Sequence, residues 1–203
     1  MSLRWLPNAI TVGRMVLALP LLWALAAGHF ALGFWLAVVA GISDAVDGFL
    51  AKRFAWHSHT GGLLDPIADK LLLSAAFLGL WWADRLPLWL VALVLGRDLV
   101  ILGGAAVWWS TLGPFTAEPT RLSKLNTFMQ IVLVATVMFD AAFASSLPPG
   151  AGRLPYATGF SGPLPLTWLY ALILACTAFT AASGVDYVVR WGARYRTALR
   201  NRS

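Results

Sequence analysis

The sequence predicts an all-α integral membrane protein, six transmembrane helices forming a single domain over residues 1–203. Three observations carry that reading. Apolar residues fill 59% of the 203 positions and charged residues only 12%, whereas a soluble domain keeps about a quarter of its residues charged. Mean hydropathy is +0.73. Apolar runs of about 20 residues, the length that crosses a bilayer core, recur six times between short breaks rich in Gly, Pro or charge.

The six runs are Asn8–Ala27, Ala31–Arg53, Leu63–Trp82, Leu86–Trp109, Leu122–Ala144 and Pro165–Val189. The breaks between them fall at Gly28-His29, at 57–62, at Ala83-Asp84-Arg85, at 114–119 and at 148–165. Trp81, Trp82, Trp108 and Trp109 stand at span ends, where amphipathic rings anchor helices in the interface. Gly33, Gly41, Gly103 and Gly104 allow close helix approach, either within the chain or between two copies. The single cysteine, Cys176, lies inside an apolar run and excludes a disulfide framework. Its expected role is packing.

Basic residues set the expected orientation. With the N-terminus inside, the cytoplasmic side collects Arg4, Lys52, Arg53, Arg121, Lys124 and a basic tail over 190–203 with Arg190, Arg194, Arg196, Arg200 and Arg202. Only Arg85 and Arg153 fall outside. Such a tail suits anionic lipid headgroups; nothing else in the chain supports nucleic acid as a partner. Neither a cleavable presequence nor an organelle transit peptide is evident, which favours a bacterial cytoplasmic membrane.

The chemistry concentrates between Asp44 and Asp69. Four of the nine acidic residues, Asp44, Asp47, Asp65 and Asp69, fall in this window. Asp44 and Asp47 are one helical turn apart, as are Asp65 and Asp69 on the next helix, so each pair shares a face. Carboxylates in apolar surroundings are costly unless paired or metal-bound. Four converging ones require cations, and hard oxygen ligands suit Mg²⁺ or Mn²⁺. Gly48 and Ala51, nearly bare of side chain, let a ligand approach the helix, and Lys52 and Arg53 supply positive charge for phosphate. Two divalent ions held by aspartates beside basic residues suit phosphoryl transfer at a pyrophosphate, with one carboxylate taking the proton of the attacking hydroxyl. Helix caps and surface charges would explain one or two of these acids, not all four.

These residues resemble the signature of the CDP-alcohol phosphotransferase family, D-x-x-D-G-x-x-A-R followed, after eight residues, by G-x-x-x-D-x-x-x-D. The match runs from Asp44 through Gly61 to Asp69 and departs once, with Lys52 in the arginine position and Arg53 after it. The resemblance implies a six-helix bundle, a homodimer, two metal ions (Mg²⁺ or Mn²⁺) and displacement of CMP from CDP-diacylglycerol. It assigns Asp44, Asp47 and Asp65 as metal ligands and Asp69 as shared ligand and general base. Gly48, Ala51, Lys52, Arg53 and Gly61 would surround the nucleotide. Pro7-Asn8-Ala-Ile-Thr11-Val-Gly-Arg14 is similar to the P-N-x-x-T-x-x-R of the branch that makes phosphatidylglycerophosphate and cardiolipin, which brings Asn8 and Thr11 to the nucleotide. Arg14 either meets substrate phosphate or a motif aspartate, or snorkels to the interface.

Two further stretches bear on the acceptor. Gly96-Arg97-Asp98 and Ser123-Lys124-Leu-Asn126-Thr127 resemble the S-R-D and S-K-x-N-T of mitochondrial-type cardiolipin synthases more than the A-R-E and G-K-x-K-T of phosphatidylglycerophosphate synthases. Cys176-Thr-Ala-Phe-Thr-Ala-Ala-Ser183 is similar to the same branch. Asn126 where glycerol-3-phosphate enzymes carry lysine suits a monoanionic phosphodiester. The implied activity is cardiolipin synthesis (CMP-forming) with phosphatidylglycerol as acceptor, contacted by Arg14, Arg97, Lys124 and Asn126; phosphatidylglycerophosphate synthesis is the alternative. Arg97-Asp98 is equally readable as a structural ion pair. His57 and His59 fit a solvated loop better than a hard-metal site. A transporter would place its acids near the bilayer midplane on broken helices, not at one membrane face.

Overall fold

The computed structural model describes residues 6–54, 61–113, 120–143 and 166–200; side chains are described within these except at 6–10, 47–54, 61–67, 112, 166–167 and 198–199. The protein is an all-α membrane protein, and its described residues form six helices: α1 (Leu6–Ala26), α2 (Phe30–Phe54), α3 (Gly61–Trp82), α4 (Leu88–Leu112), α5 (Arg121–Ala142) and α6 (Leu166–Arg200). Each expected span coincides with one helix. The largest departure is α6, which does not stop at Val189 but carries the basic tail onward to Arg200. Nothing in that tail breaks a helix, since neither Pro nor a β-branched run follows Val189.

Three described helical stretches are long and apolar enough to cross a membrane, Leu88–Thr111, Arg121–Ala142 and Trp168–Thr197, and shorter apolar stretches lie at Thr11–Ala26 and Phe30–Val46. Large side chains such as Leu19, Trp23, Trp35, Leu99 and Leu174 are exposed, as lipid-facing surface requires.

Two of the turns close by the same hydrogen-bond pattern. After α1, Gly28 has φ 79°, its N–H donates to Leu25 and that of His29 donates to Ala24. After α3, Asp84 takes the left-handed position at φ 55°, with Asp84 N–H on Trp81 and Arg85 N–H on Leu80. Both are Schellman closures; a short polar side chain tolerates the conformation glycine adopts freely.

The chain forms two compact units, Met1–Pro87 with Val134–Leu166, and Leu88–Leu133 with Thr167–Ser203. In the first, α1 packs on α2 and α3 around Leu21, Ala24, Leu25, Phe77 and Leu80. Leu25 is the wedge. A Cβ on Gly33 would sit 2.5 Å from Leu25 Cδ2, and one on Gly79 would sit 2.7 Å from Leu25 Cβ and 3.2 Å from the Leu22 carbonyl. Gly79 thus meets backbone and admits no side chain. At the end of this unit away from the aspartates, the Arg85 guanidinium lies 4.6 Å from the centre of the Phe30 ring. Burial pushes the Arg85 guanidinium below its usual value, and Asp140 opposes that shift. Asp140 itself is buried.

In the second unit, Thr120 caps α5 by accepting from the Ser123 N–H. The Tyr187 hydroxyl donates to the Ile101 carbonyl at 3.0 Å, and a Cβ on Gly104 would lie 2.7 Å from that hydroxyl oxygen. Gly33 and Gly104 therefore serve close approach as expected. Gly41 and Gly103 face no described atom within 4 Å.

Candidate active site

The first site is organised by Arg14. It sits on α1, only 2% exposed, with Thr11 buried one turn earlier on the same face. Its Nη1 donates to Asp44 Oδ1 from α2 and to Asp69 Oδ1 from α3, the latter at 2.6 Å. One nitrogen thus joins carboxylates that are 30 and 55 residues away in sequence. Of the two fates open to Arg14 in the sequence, it pairs with motif aspartates.

Among the described side chains, one guanidinium faces two carboxylates, and both carboxylates stay open, 49% exposed for Asp44 and 57% for Asp69. Negative charge on hard oxygen donors, accessible from outside and tethered by a buried cation, fits a divalent ion such as Mg²⁺ or Mn²⁺. Asp47 lies one helical turn beyond Asp44, and Asp65 one turn before Asp69, on backbone that is helical in both cases. The side chains of Asp47 and Asp65 lie outside those described, as do those of Asn8, Gly48, Ala51, Lys52, Arg53 and Gly61; His57 and His59 lie outside the described residues altogether. Among the described residues no group of three or more His, Cys, Asp or Glu side chains gathers.

A second polar cluster lies within the other unit. Arg97 on α4, 7% exposed, donates through Nη1 to Asp98 at 2.6 Å. Its Nη2 donates at 2.7 Å to both Ser123 Oγ on α5 and Ser183 Oγ on α6. The ion-pair alternative read from the sequence is realised here, extended by two hydroxyls from other helices. Both hydroxyls accept from Arg97, which leaves their own protons to donate elsewhere. Lys124, the next residue after Ser123, is exposed.

Asn126 points inward. It is fully buried, its Oδ1 accepts from the Thr180 hydroxyl at 2.8 Å, and Thr180 accepts from Gln130 Nε2 at 3.4 Å. Gln130 Nε2 can only donate, so the single Thr180 proton goes to Asn126 and fixes its amide with Nδ2 as the uncommitted end. That Nδ2 meets no acceptor among the described residues. A seam of Ser123, Asn126 and Gln130 on α5 therefore faces Thr180 and Ser183 on α6. The sequence contained a signal for it: the polar residues recur at three- and four-residue intervals within apolar helices, one face of each.

The chain is similar to known proteins over most of its length. The CDP-alcohol phosphatidyltransferase family profile matches residues 4–193. A probable cardiolipin synthase (CMP-forming) of Drosophila melanogaster is 34% identical over 172 residues, covering 77% of this chain and 53% of that protein. The chloroplastic CDP-diacylglycerol–glycerol-3-phosphate 3-phosphatidyltransferase 1 of Oryza sativa subsp. japonica is 32% identical over 203 residues, covering 92% of this chain and 56% of that protein. The human cardiolipin synthase (CMP-forming) is 32% identical over 202 residues, covering 90% and 60%. The chain thus spans between about half and three-fifths of the length of these relatives.

Proposed function

The chain belongs to the CDP-alcohol phosphatidyltransferase family, and from that premise we propose that it transfers a phosphatidyl group from CDP-diacylglycerol to phosphatidylglycerol, giving cardiolipin and CMP. The observation that carries the reading is the meeting of Asp44 and Asp69 on one buried arginine, because it gathers acids from two helices at an open face.

The chemistry is an exchange of esters at phosphorus. A headgroup hydroxyl oxygen of phosphatidylglycerol forms a bond to the phosphatidyl phosphorus, the bond from that phosphorus to the CMP oxygen breaks, and the hydroxyl proton passes to Asp69. Magnesium or manganese ions held by Asp44, Asp47, Asp65 and Asp69 would neutralise the diphosphate and the departing CMP. Arg14 holds Asp44 and Asp69 in fixed orientation, which spares the site that reorganisation during reaction. Lys52 and Arg53 balance diphosphate charge, and Asn8, Thr11, Gly48, Ala51 and Gly61 border the nucleotide. Arg97, Lys124 and Asn126 serve the acceptor phosphate. The enzyme works as a homodimer, with its site on the cytoplasmic face, where the basic residues gather.

Acceptor choice rests on Asn126. Its position is fully buried, so a lysine there would bury an ammonium at high cost; a neutral amide suits an acceptor whose phosphodiester carries one charge. A second reading, glycerol 3-phosphate as acceptor, is favoured by the rice relative, whose similarity is comparable and covers 92% of this chain. Purified protein incubated with CDP-diacylglycerol, Mg²⁺ or Mn²⁺ and each acceptor in turn separates the two. Release of CMP with phosphatidylglycerol alone is expected; release with glycerol 3-phosphate alone makes the second reading the right one.

A further inference from the structure

The last three turns of α6 are left over from this chemistry, and their design is unusual for a tail. Helix α6 is 35 residues long. The portion up to Val189 already spans about 36 Å at about 1.5 Å per residue, more than a hydrocarbon core of about 30 Å. From Arg190 onward the helix therefore stands at headgroup depth or beyond. It is braced rather than loose: Trp191 and Tyr195 stack at 5.0 Å with their planes 9° apart, and Tyr195 meets Trp108 of α4 edge-on at 6.1 Å. Aromatic rings of this kind mark the membrane interface.

Cations flank that aromatic stripe. Arg190 and Arg194 lie one turn apart on one side, about 100° from the rings, and Arg196 and Arg200 lie one turn apart on the other, about 140° away. All four arginines are exposed. Arg190 donates through Nε to Asp186 at 2.5 Å. Against these four cations the stretch after Ser183 carries one acid, Asp186. The Trp191 indole N–H, itself shielded, meets no acceptor among the described residues.

We propose that the C-terminal extension of α6 is a docking surface for anionic phospholipid headgroups of the surrounding leaflet, with Arg194 and Arg196 as its main contacts. Guanidinium groups bind phosphate oxygens in a bidentate manner. Their number, their flanking of an interfacial aromatic stripe and the lack of balancing acids together select a negatively charged membrane surface. The extension recruits anionic lipid around the protein independently of which lipid reacts.

The test uses full-length protein and a lipid that is not the proposed acceptor. Protein in detergent is incubated with equal amounts of phosphatidylserine and phosphatidylcholine, repurified, and its bound lipids are quantified by mass spectrometry. Wild type should retain phosphatidylserine over phosphatidylcholine by about tenfold or more, from roughly 1 kcal/mol per basic side chain near an anionic surface. Arg194→Gln/Arg196→Gln/Arg200→Gln should fall to near parity, while the corresponding triple lysine variant keeps most of the preference. Raising the salt of wild type to about 1 M, where the Debye length is about 3 Å, should erase it without any mutation. Parity in wild type, or undiminished preference in a folded triple glutamine variant, overturns the proposal.

Discussion

Arg14 and Arg97 are both arginines buried inside membrane helices, yet their surroundings are built to opposite plans. Arg14 meets two carboxylates from two other helices, and those carboxylates are about half exposed. Arg97 meets the carboxylate next to it in sequence and two serine hydroxyls, and all but the edge of that cluster is buried. Among the described side chains, the first cluster sets two acids against one cation at an open face; the second sets one acid against one cation and is more buried. A buried cation can thus serve either to hold acids at an open face or to tie three helices together through hydroxyls. The count of charges, not the presence of arginine, distinguishes the two.

The largest effects should come from breaking the open cluster. Asp44→Asn, or chelation of divalent ions, should abolish CMP release if Asp44 is one of the proposed metal ligands, because metal-assisted cleavage needs its full set of carboxylates. Asp69→Asn should lower turnover by about 10²–10⁴-fold, the usual contribution of a general base, while binding of CDP-diacylglycerol with metal present persists. Measured side by side, turnover and binding separate the base role from a ligand role. Near-normal turnover in either variant would dissolve the contrast between the clusters.

Charge balance predicts a subtler difference in stability. In Arg14→Gln the two carboxylates repel, so the unfolding temperature should drop, and added Mg²⁺ should recover more of it than in wild type. Arg97→Gln should also unfold earlier, with no extra recovery from Mg²⁺. Thermal unfolding with and without the metal reads both, and equal metal responses would show that the clusters do not differ in charge.

Smaller effects belong to the closed cluster. Arg97→Lys keeps the charge but cannot hold Asp98, Ser123 and Ser183 with the same planar fork. Acceptor KM should rise roughly tenfold for the loss of about one charge-assisted contact, with binding of CDP-diacylglycerol unchanged. Thr180→Val removes the proton that Asn126 Oδ1 accepts; denaturant unfolding should show a loss of about 1–3 kcal/mol, restored by Thr180→Ser. If valine is tolerated, the Gln130–Thr180–Asn126 chain contributes little.

Legibility in the sequence followed the range of the interaction. The helices were readable because apolar runs and their breaks are local, and the expected ends differ from the observed ones by a few residues, except at α6. The overrun of α6 was hidden because hydropathy marks where a membrane ends, not where a helix ends. The aspartate window was readable from spacing, whereas Arg14 entered through the resemblance of residues 7–14 to the P-N-x-x-T-x-x-R motif. Which of its possible partners Arg14 takes was not readable, and neither was the burial of Asn126 or the role of Ser183. Asp140, beside Arg85 at the other end, went unremarked although an acid within an apolar span is its own signal.

By itself the sequence determined which residues share a helix face, because a period of 3.6 residues is a property of the backbone and needs no neighbour. It also determined that the acids of the Asp44–Asp69 window and the basic tail stand at span ends, since burying charge in the span is costly. Only the tertiary structure decided which faces meet. Leu25 packs against Gly33 and Gly79, helices α1, α2 and α3 come together on small residues, and Arg14 thereby reaches Asp44 and Asp69 across 30 and 55 residues of chain. Pairing at that range depends on helix packing geometry, which no local pattern of residues encodes.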